Sequence, residues 1–269
     1  MRQPPDVQPD LEAEYNNRAR VPGHPEVIAG WARDAAAWRE ARPPQTLTYG
    51  AGERQALDLF AGDGAPGAPW ALFIHGGYWQ GMDRAFFSHM ARGLNLNGIG
   101  VAVAGYDLCP AVRIGDIVAQ MRAALEALSA RTGGPVVPFG HSAGGHLAAC
   151  LLATEAAAPA ALAISGVFEL EPLIPTSLNA ALGLDADEAR ALSPALWPAP
   201  AGKALDLLVG ERESDEFHRQ SRDMAERWGA AGVAVRCGTV ADADHFTVLA
   251  TFAEADSPET ARLAELVRC

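Results

Sequence analysis

The sequence predicts an α/β protein built on a doubly wound, mostly parallel sheet, and three observations carry the prediction. Short apolar, β-prone runs alternate with helical segments from residue 70 to the C-terminal end, as expected of a sheet covered on both faces. One such run, 135–139, leads into Gly140-His141-Ser142-Ala143-Gly144 and then a helix-forming stretch. Another, upstream, ends in His75-Gly76-Gly77.

Taken in order, residues 1 to about 20 are rich in Pro and Asp and read as a segment lying over the surface. Residues 24–42 place Val27, Trp31, Ala35 and Trp38 at helical spacing and stop at Pro43-Pro44. Residues 46–49 and 56–60 read as early strands around a Gly50-Ala51-Gly52 turn, and 63–69 as a Gly/Pro loop. The alternation then runs strand 70–75, helix 84–94, strand 100–106, helix 114–131, strand 135–139, helix 143–154 and strand 160–165. Residues 169–200, rich in Pro, Leu and Asp, interrupt it and read as a small cap. Strand 204–209, helix 215–229, strand 233–237, a loop through His245 and a helix at 257–267 complete the chain. No internal repeat or low-complexity linker divides it. The expectation is therefore one domain over 1–269, with an N-terminal extension over about 1–45 and a cap insertion over about 169–200.

Composition narrows the function classes. The 269 residues are 49% apolar, ample for a large core, and carry a net charge of −12. That charge argues against a nucleic-acid surface or an anionic membrane as partner. Cys109, Cys150, Cys237 and Cys269 have no C-x-x-C spacing and read as reduced thiols. The amino-terminal stretch has no apolar core of a secretory signal, so a cytoplasmic location is expected. The apolar run 147–168 is broken by Glu155 and Pro159, which makes it a buried helix and strand rather than a membrane span. Oligomeric state stays open, a homodimer included.

The chemistry centres on residue 142. Glycines at 140 and 144 let a strand turn sharply into a helix and leave Ser142 at the tip, beside backbone N–H groups able to stabilise an anion. This G-x-S-x-G elbow, with an upstream His-Gly-Gly loop, is the arrangement of α/β-hydrolases, and the α/β-hydrolase fold is the expectation. Gly76, Gly77 and Ala143 are then the candidate oxyanion-hole amides. A serine nucleophile needs a base, and the base needs an acid to orient it.

Seven histidines are present, and His245, after the last strand, occupies the base's position. His75 reads as a brace for the oxyanion loop. No H-E-x-x-H or comparable cluster occurs, so neither a metal nor another cofactor is expected. The acid candidates are Glu211, Glu213, Asp215, Asp242 and Asp244. Asp244 is too close in sequence to His245 to reach its Nδ1, and Glu211 too close to the strand end. Asp215 suits the cap of the helix that follows, although its candidacy against Glu213 stays open. Tyr78, Trp79, Tyr106 and Phe246 are candidate pocket residues.

The runs His75-Gly-Gly-Tyr-Trp79, Tyr106-Asp-Leu-Cys-Pro110, Gly140-His-Ser-Ala-Gly144, Glu213-Ser-Asp-Glu-Phe-His-Arg-Gln-Ser221 and Asp244-His-Phe246 together resemble the serine-type kynurenine formamidases (arylformamidases), relatives of the hormone-sensitive-lipase-like esterases. The resemblance runs from about Tyr15-Asn16-Asn17 to the last helix. Family members often have Asp where this chain has Glu213, and Pro where it has Asp215. In related hydrolases the acid falls three residues after the glycine that ends its strand, which from Gly210 is Glu213.

The resemblance implies hydrolysis of a small-molecule aryl amide or ester, foremost N-formyl-L-kynurenine, by Ser142, Glu213 and His245. A short-chain carboxylesterase uses the same residues and stays open. A non-catalytic binding protein on this fold is the other alternative, but such proteins lose the serine or the histidine, which this chain keeps.

Overall fold

The computed structural model describes residues 10–64 and 67–269. The expectations for residues 1–9, and for 65 and 66 in the loop at 63–69, lie outside the described residues. Among the rest, eight strands pair in one sheet in the order β1-β2-β4-β3-β5-β6-β7-β8. They are β1 (Gln45–Thr48), β2 (Ala56–Phe60), β3 (Trp70–Ile74), β4 (Gly100–Ala104), β5 (Val136–His141), β6 (Ala160–Ile164), β7 (Ala204–Gly210) and β8 (Ala234–Val240). β2 pairs antiparallel with both β1 and β4, and every later pairing is parallel.

Strands β4, β5 and β6 are buried along their whole length, because helices cover both faces and each strand must be apolar on each. Alternation sorts the side chains. Leu72 and Ile74 join one core with Met121 and Leu125 of α5 (Ile114–Thr132) and Leu147 and Leu151 of α6 (Ala143–Thr154). Ala71 and Phe73 point the other way, toward Trp31 of α3 (His24–Ala41) and Leu263 of α10 (Pro258–Arg268).

The chain passes from β3 to β4 on one side and then returns to β5 on the other side of β3. The reversal opens a crevice beyond the carboxyl ends of β3 and β5, where open α/β sheets bind ligands. The His75 loop and the Ser142 elbow both emerge there. Nearby lie α9 (Asp215–Ala230), which follows β7, and the insertion between β6 and β7, with short helices α7 (Asn179–Leu182) and α8 (Ala186–Ala191).

Several boundaries differ from expectation. Residues 84–91 are a 3₁₀ helix that runs into the short α4 (Arg92–Leu96), and β8 continues to Val240. The larger correction is at the N-terminus. Residues expected to lie over the surface instead form α1 (Leu11–Tyr15) and α2 (Asn17–Arg20), with Tyr15 and Asn17 buried. Helices of five and four residues cannot persist in isolation. These are capped by Asp10 and Asn16 side chains at 3.2 Å and held by tertiary bonds. Glu12 accepts from the Ser177 amide and hydroxyl in the insertion, and the Tyr15 hydroxyl donates to Glu216 at 2.8 Å. No described helix is long and apolar enough to cross a membrane.

Candidate active site

The elbow is a close-packed turn. A Cβ on Gly144 would lie 1.9 Å from the Ile74 carbonyl oxygen, and one on Gly140 would lie 2.2 Å from that of Gly144. Neither position can hold a larger residue without moving the start of α6 away from β3 or β5. Between them Ser142 adopts φ 56°, ψ −118°, a strained conformation that survives only because its surroundings over-determine it. Its N–H donates to Ile164 O at 2.8 Å, and its carbonyl accepts from Gly145 at 2.9 Å and His146 at 3.2 Å.

Ser142 also begins the approach to the amino end of α6. Among the described residues, none of the Gly76, Gly77 and Ala143 amides has a protein acceptor. Gly77 sits at φ +109°, a conformation open to glycine. The loop is braced from behind. His75 Nδ1–H donates to Gly76 O at 2.7 Å, and the Tyr106 hydroxyl donates to His75 O at 2.8 Å. The His75 ring stacks on Tyr106 at 4.3 Å and on Phe87 at 5.6 Å. Burial pushes its pKa down to about 4, so it is neutral at pH 7.

Of the five acid candidates, Glu213 meets His245. Its Oε2 accepts from His245 Nδ1 at 2.6 Å. Its Oε1 accepts from the Gly210 amide at 2.7 Å and from the Ser165 hydroxyl. Both oxygens are thus engaged, and the carboxylate is fully shielded from solvent. Glu211 turns away to accept from the Asp242 amide at 2.8 Å, and Asp244 accepts from the Phe246 and Thr247 amides, each at 2.9 Å.

Asp215 is exposed and is the first residue of α9, with Ser214 at the cap position and no side-chain cap bond. The expectation that Asp215 caps this helix is therefore corrected. Glu14 of α1 reaches the Glu216 amide at 3.1 Å instead, because the N-terminal segment brings a carboxylate over the exposed helix end.

His141 supports the base from below. Its Nε2–H donates to the His245 carbonyl at 2.8 Å, and the two rings lie 4.7 Å apart. Burial, reinforced by His245, holds His141 well below the usual histidine range. It therefore brings no second positive charge beside the base.

Ser142 and His245 line one cavity of about 260 Å³ with Gly76, Gly77, Tyr78 and Phe246. Among the described residues no hydrogen bond joins the Ser142 hydroxyl to His245. In empty enzymes such contacts are often long and tighten on substrate binding. Two pocket expectations are corrected. Trp79 and Tyr106 are completely buried and do not line the cavity. Trp79 packs edge-on against His146 at 5.1 Å, and Tyr106 supports the His75 loop, since large rings beside a strand end gain most by entering the core.

Conversely, Trp31, Phe87, His141 and the stretch Tyr15 to Arg18 line the cavity and were not read as pocket residues. The similarity beginning at Tyr15-Asn16-Asn17 was the single signal for that stretch. Among the described residues no group of three or more His, Cys, Asp or Glu could hold a metal ion.

No family model matches the chain. Curated relatives do. The kynurenine formamidase of Danio rerio is 28% identical over 220 residues, covering 76% of this chain and 74% of that protein. The kynurenine formamidase of Drosophila melanogaster is 30% identical over 232 residues, 78% of this chain and 77% of that protein. Among solved structures, a putative thioesterase from Silicibacter sp. TM1040 superposes with a TM-score of 0.84 at 32% identity, over 97% of this chain and 100% of that one. Sheet order, crevice and relatives agree: this hydrolytic enzyme has the α/β-hydrolase fold and belongs to the kynurenine formamidase family.

Proposed function

We propose that the enzyme hydrolyses N-formyl-L-kynurenine to L-kynurenine and formate, with Ser142 as nucleophile, His245 as base and Glu213 as the acid that orients it. The observation that carries this reading is the buried Glu213–His245 bond of 2.6 Å, held beside the strained Ser142 elbow on one cavity wall. Glu213 keeps the proton on Nδ1 and leaves Nε2 free to accept.

His245 Nε2 takes the Ser142 hydroxyl proton as Oγ attacks the formyl carbon. The resulting oxyanion is held by the amides of Gly76, Gly77 and Ala143. The C–N bond then breaks, and the imidazolium returns the proton to the aryl nitrogen, which leaves poorly as an anion. Water, deprotonated by His245, attacks the formyl-serine. Formate departs and Ser142 regains its proton.

The same residues would serve a short-chain aryl or alkyl ester, and the likeness to a putative thioesterase favours keeping that second reading. A panel of N-formylkynurenine, p-nitrophenyl acetate and p-nitrophenyl octanoate separates the two. We expect N-formylkynurenine to have the highest kcat/KM and the octanoate the lowest. An octanoate value at or above that of the acetate overturns the small acyl site. Labelling of Ser142 by a serine-directed phosphonate tests the nucleophile directly, and no labelling would favour a binding protein. A cytoplasmic site of action is consistent with the four unpaired cysteines.

A further inference from the structure

Part of the cavity lining, Tyr15 to Arg18, comes from the N-terminal segment and has a distinct electrostatic character. Arg18 of α2 lines the cavity, and no Asp, Glu or Lys lines it. Histidines aside, Arg18 is the one ionic side chain on that surface. Its neighbour Arg20 is paired with Glu14 at 3.6 Å, whereas Arg18 has no ion-pair or hydrogen-bond partner among the described residues. Elsewhere the cavity lining includes the aromatic rings of Trp31, Phe87, Tyr78 and Phe246. On a chain of net charge −12, an unpaired guanidinium at an aromatic cavity is where an anionic ligand finds attraction.

The segment that presents Arg18 is fixed at several points. Tyr78 Oη donates to Tyr15 O at 2.7 Å, and Asn17 donates to the same hydroxyl at 3.3 Å. Gln220 Nε2 donates to the Tyr15 hydroxyl at 2.9 Å. Since Tyr78 belongs to the oxyanion loop, the backbone that carries Arg18 is tied to the loop at the reacting centre.

We propose that Arg18 binds a carboxylate on the leaving-group side of the substrate, so that the enzyme selects aryl substrates that carry an acid. The proposal deepens the assignment made above and rests on it for the reacting bond. A flat aryl ring would lie among Trp31, Phe87 and Phe246, its acyl group at Ser142 and its carboxylate toward Arg18. A guanidinium and a carboxylate form charge-assisted, often bidentate bonds, and loss of such a contact at an open mouth should cost about tenfold in affinity.

The test measures binding rather than turnover. The full chain is titrated calorimetrically with 4-oxo-4-phenylbutanoate and with its uncharged amide, in the parent, Arg18→Gln and Arg18→Lys. We expect the parent to prefer the acid by about tenfold or more, Arg18→Gln to bind both about equally and Arg18→Lys to keep part of the preference. The parent's preference should also shrink as salt is raised. Arg18 is exposed, so the variants should fold, and taking the acid-to-amide ratio cancels changes common to both ligands. An equal affinity for acid and amide in the parent, no binding of the acid at all, or a preference that survives in Arg18→Gln overturns the proposal. A preference for the acid that depends on Arg18, in an enzyme that leaves N-formylkynurenine intact, supports the Arg18 assignment and overturns only the choice of substrate.

Discussion

Two walls of the same cavity are built on opposite plans. The wall that carries Ser142 and His245, with Glu213 buried behind it, grows from the carboxyl ends of β5, β7 and β8, and the acid and the His245 carbonyl are tied down by short, buried bonds. Both oxygens of Glu213 are occupied, and the carbonyl of His245 is itself held by His141. The other wall comes from helices of five and four residues that have no place in the sheet. It is fastened through the side chains of Glu12, Glu14, Tyr15 and Asn17 and the Tyr15 carbonyl. The difference teaches where rigidity is required. Proton transfer tolerates little displacement, so its groups sit on the framework, whereas a wall that selects the substrate can be carried by a segment outside the sheet.

Substitutions should separate the two walls. The largest effect is expected from Ser142→Ala, which should fold normally yet lower kcat by about 10⁵ to 10⁶. Residual activity within tenfold of the parent would remove Ser142 from its proposed role. Next, Glu213→Gln should lower kcat by about 10³ to 10⁴, with Glu213→Asp also impaired, because the shorter side chain draws back from Nδ1. Asp215→Asn should cost less than tenfold, in keeping with its exposed position. The reverse ranking, read from steady-state kinetics, would break the contrast between a locked acid and a solvated neighbour.

Down to pH 5, before the Glu12 and Glu216 carboxylates of lowered pKa that fasten the N-terminal wall take up protons, acid should attack the framework rather than that wall, which has no histidine between residues 10 and 20. Burial holds His75, His89 and His146 at pKa values of about 4. Between pH 6.5 and 4 the unfolded chain therefore binds protons that the folded chain refuses, and stability falls as pH drops through that window. Each histidine should withdraw about 2 kcal/mol between pH 7 and pH 5. Guanidinium unfolding midpoints at the two pH values check this, and His146→Gln should flatten the dependence.

The smallest effect is expected from Tyr15→Phe. It removes the hydroxyl that joins Glu216 and Gln220 and should cost about 1 kcal/mol of stability. It should raise KM for an aryl amide severalfold while kcat stays nearly constant. A fall in kcat with unchanged KM would mean that the N-terminal wall takes part in the chemistry after all.

What the sequence determined by itself is whatever local pattern and short-range sterics specify. Helix α6 and strand β2 have the bounds their residues suggested, because an apolar run ended by turn-forming or helix-breaking residues, Gly62 after β2 and Pro159 beyond α6, leaves the backbone few alternatives. Gly140 and Gly144 marked the elbow because only glycine permits that approach of two backbone segments. The family resemblance, through its count from Gly210, favoured Glu213 but left Asp215 open, and the structure places Glu213 against His245.

Other features were decided only when distant parts met. Asp10 and Asn16 are local caps for the helices of Leu11–Arg20, but nothing local buries the segment, since it is held by Ser177, Glu216 and Gln220, more than 150 residues away. Nor does any local pattern tell which aromatic after a strand faces the cavity and which the core. Tyr78 and Trp79 are adjacent, yet one lines the cavity and the other lies against His146. Periodicity reports that a residue is buried, while the partner it is buried against is set by long-range packing, and a cavity is the space that packing leaves.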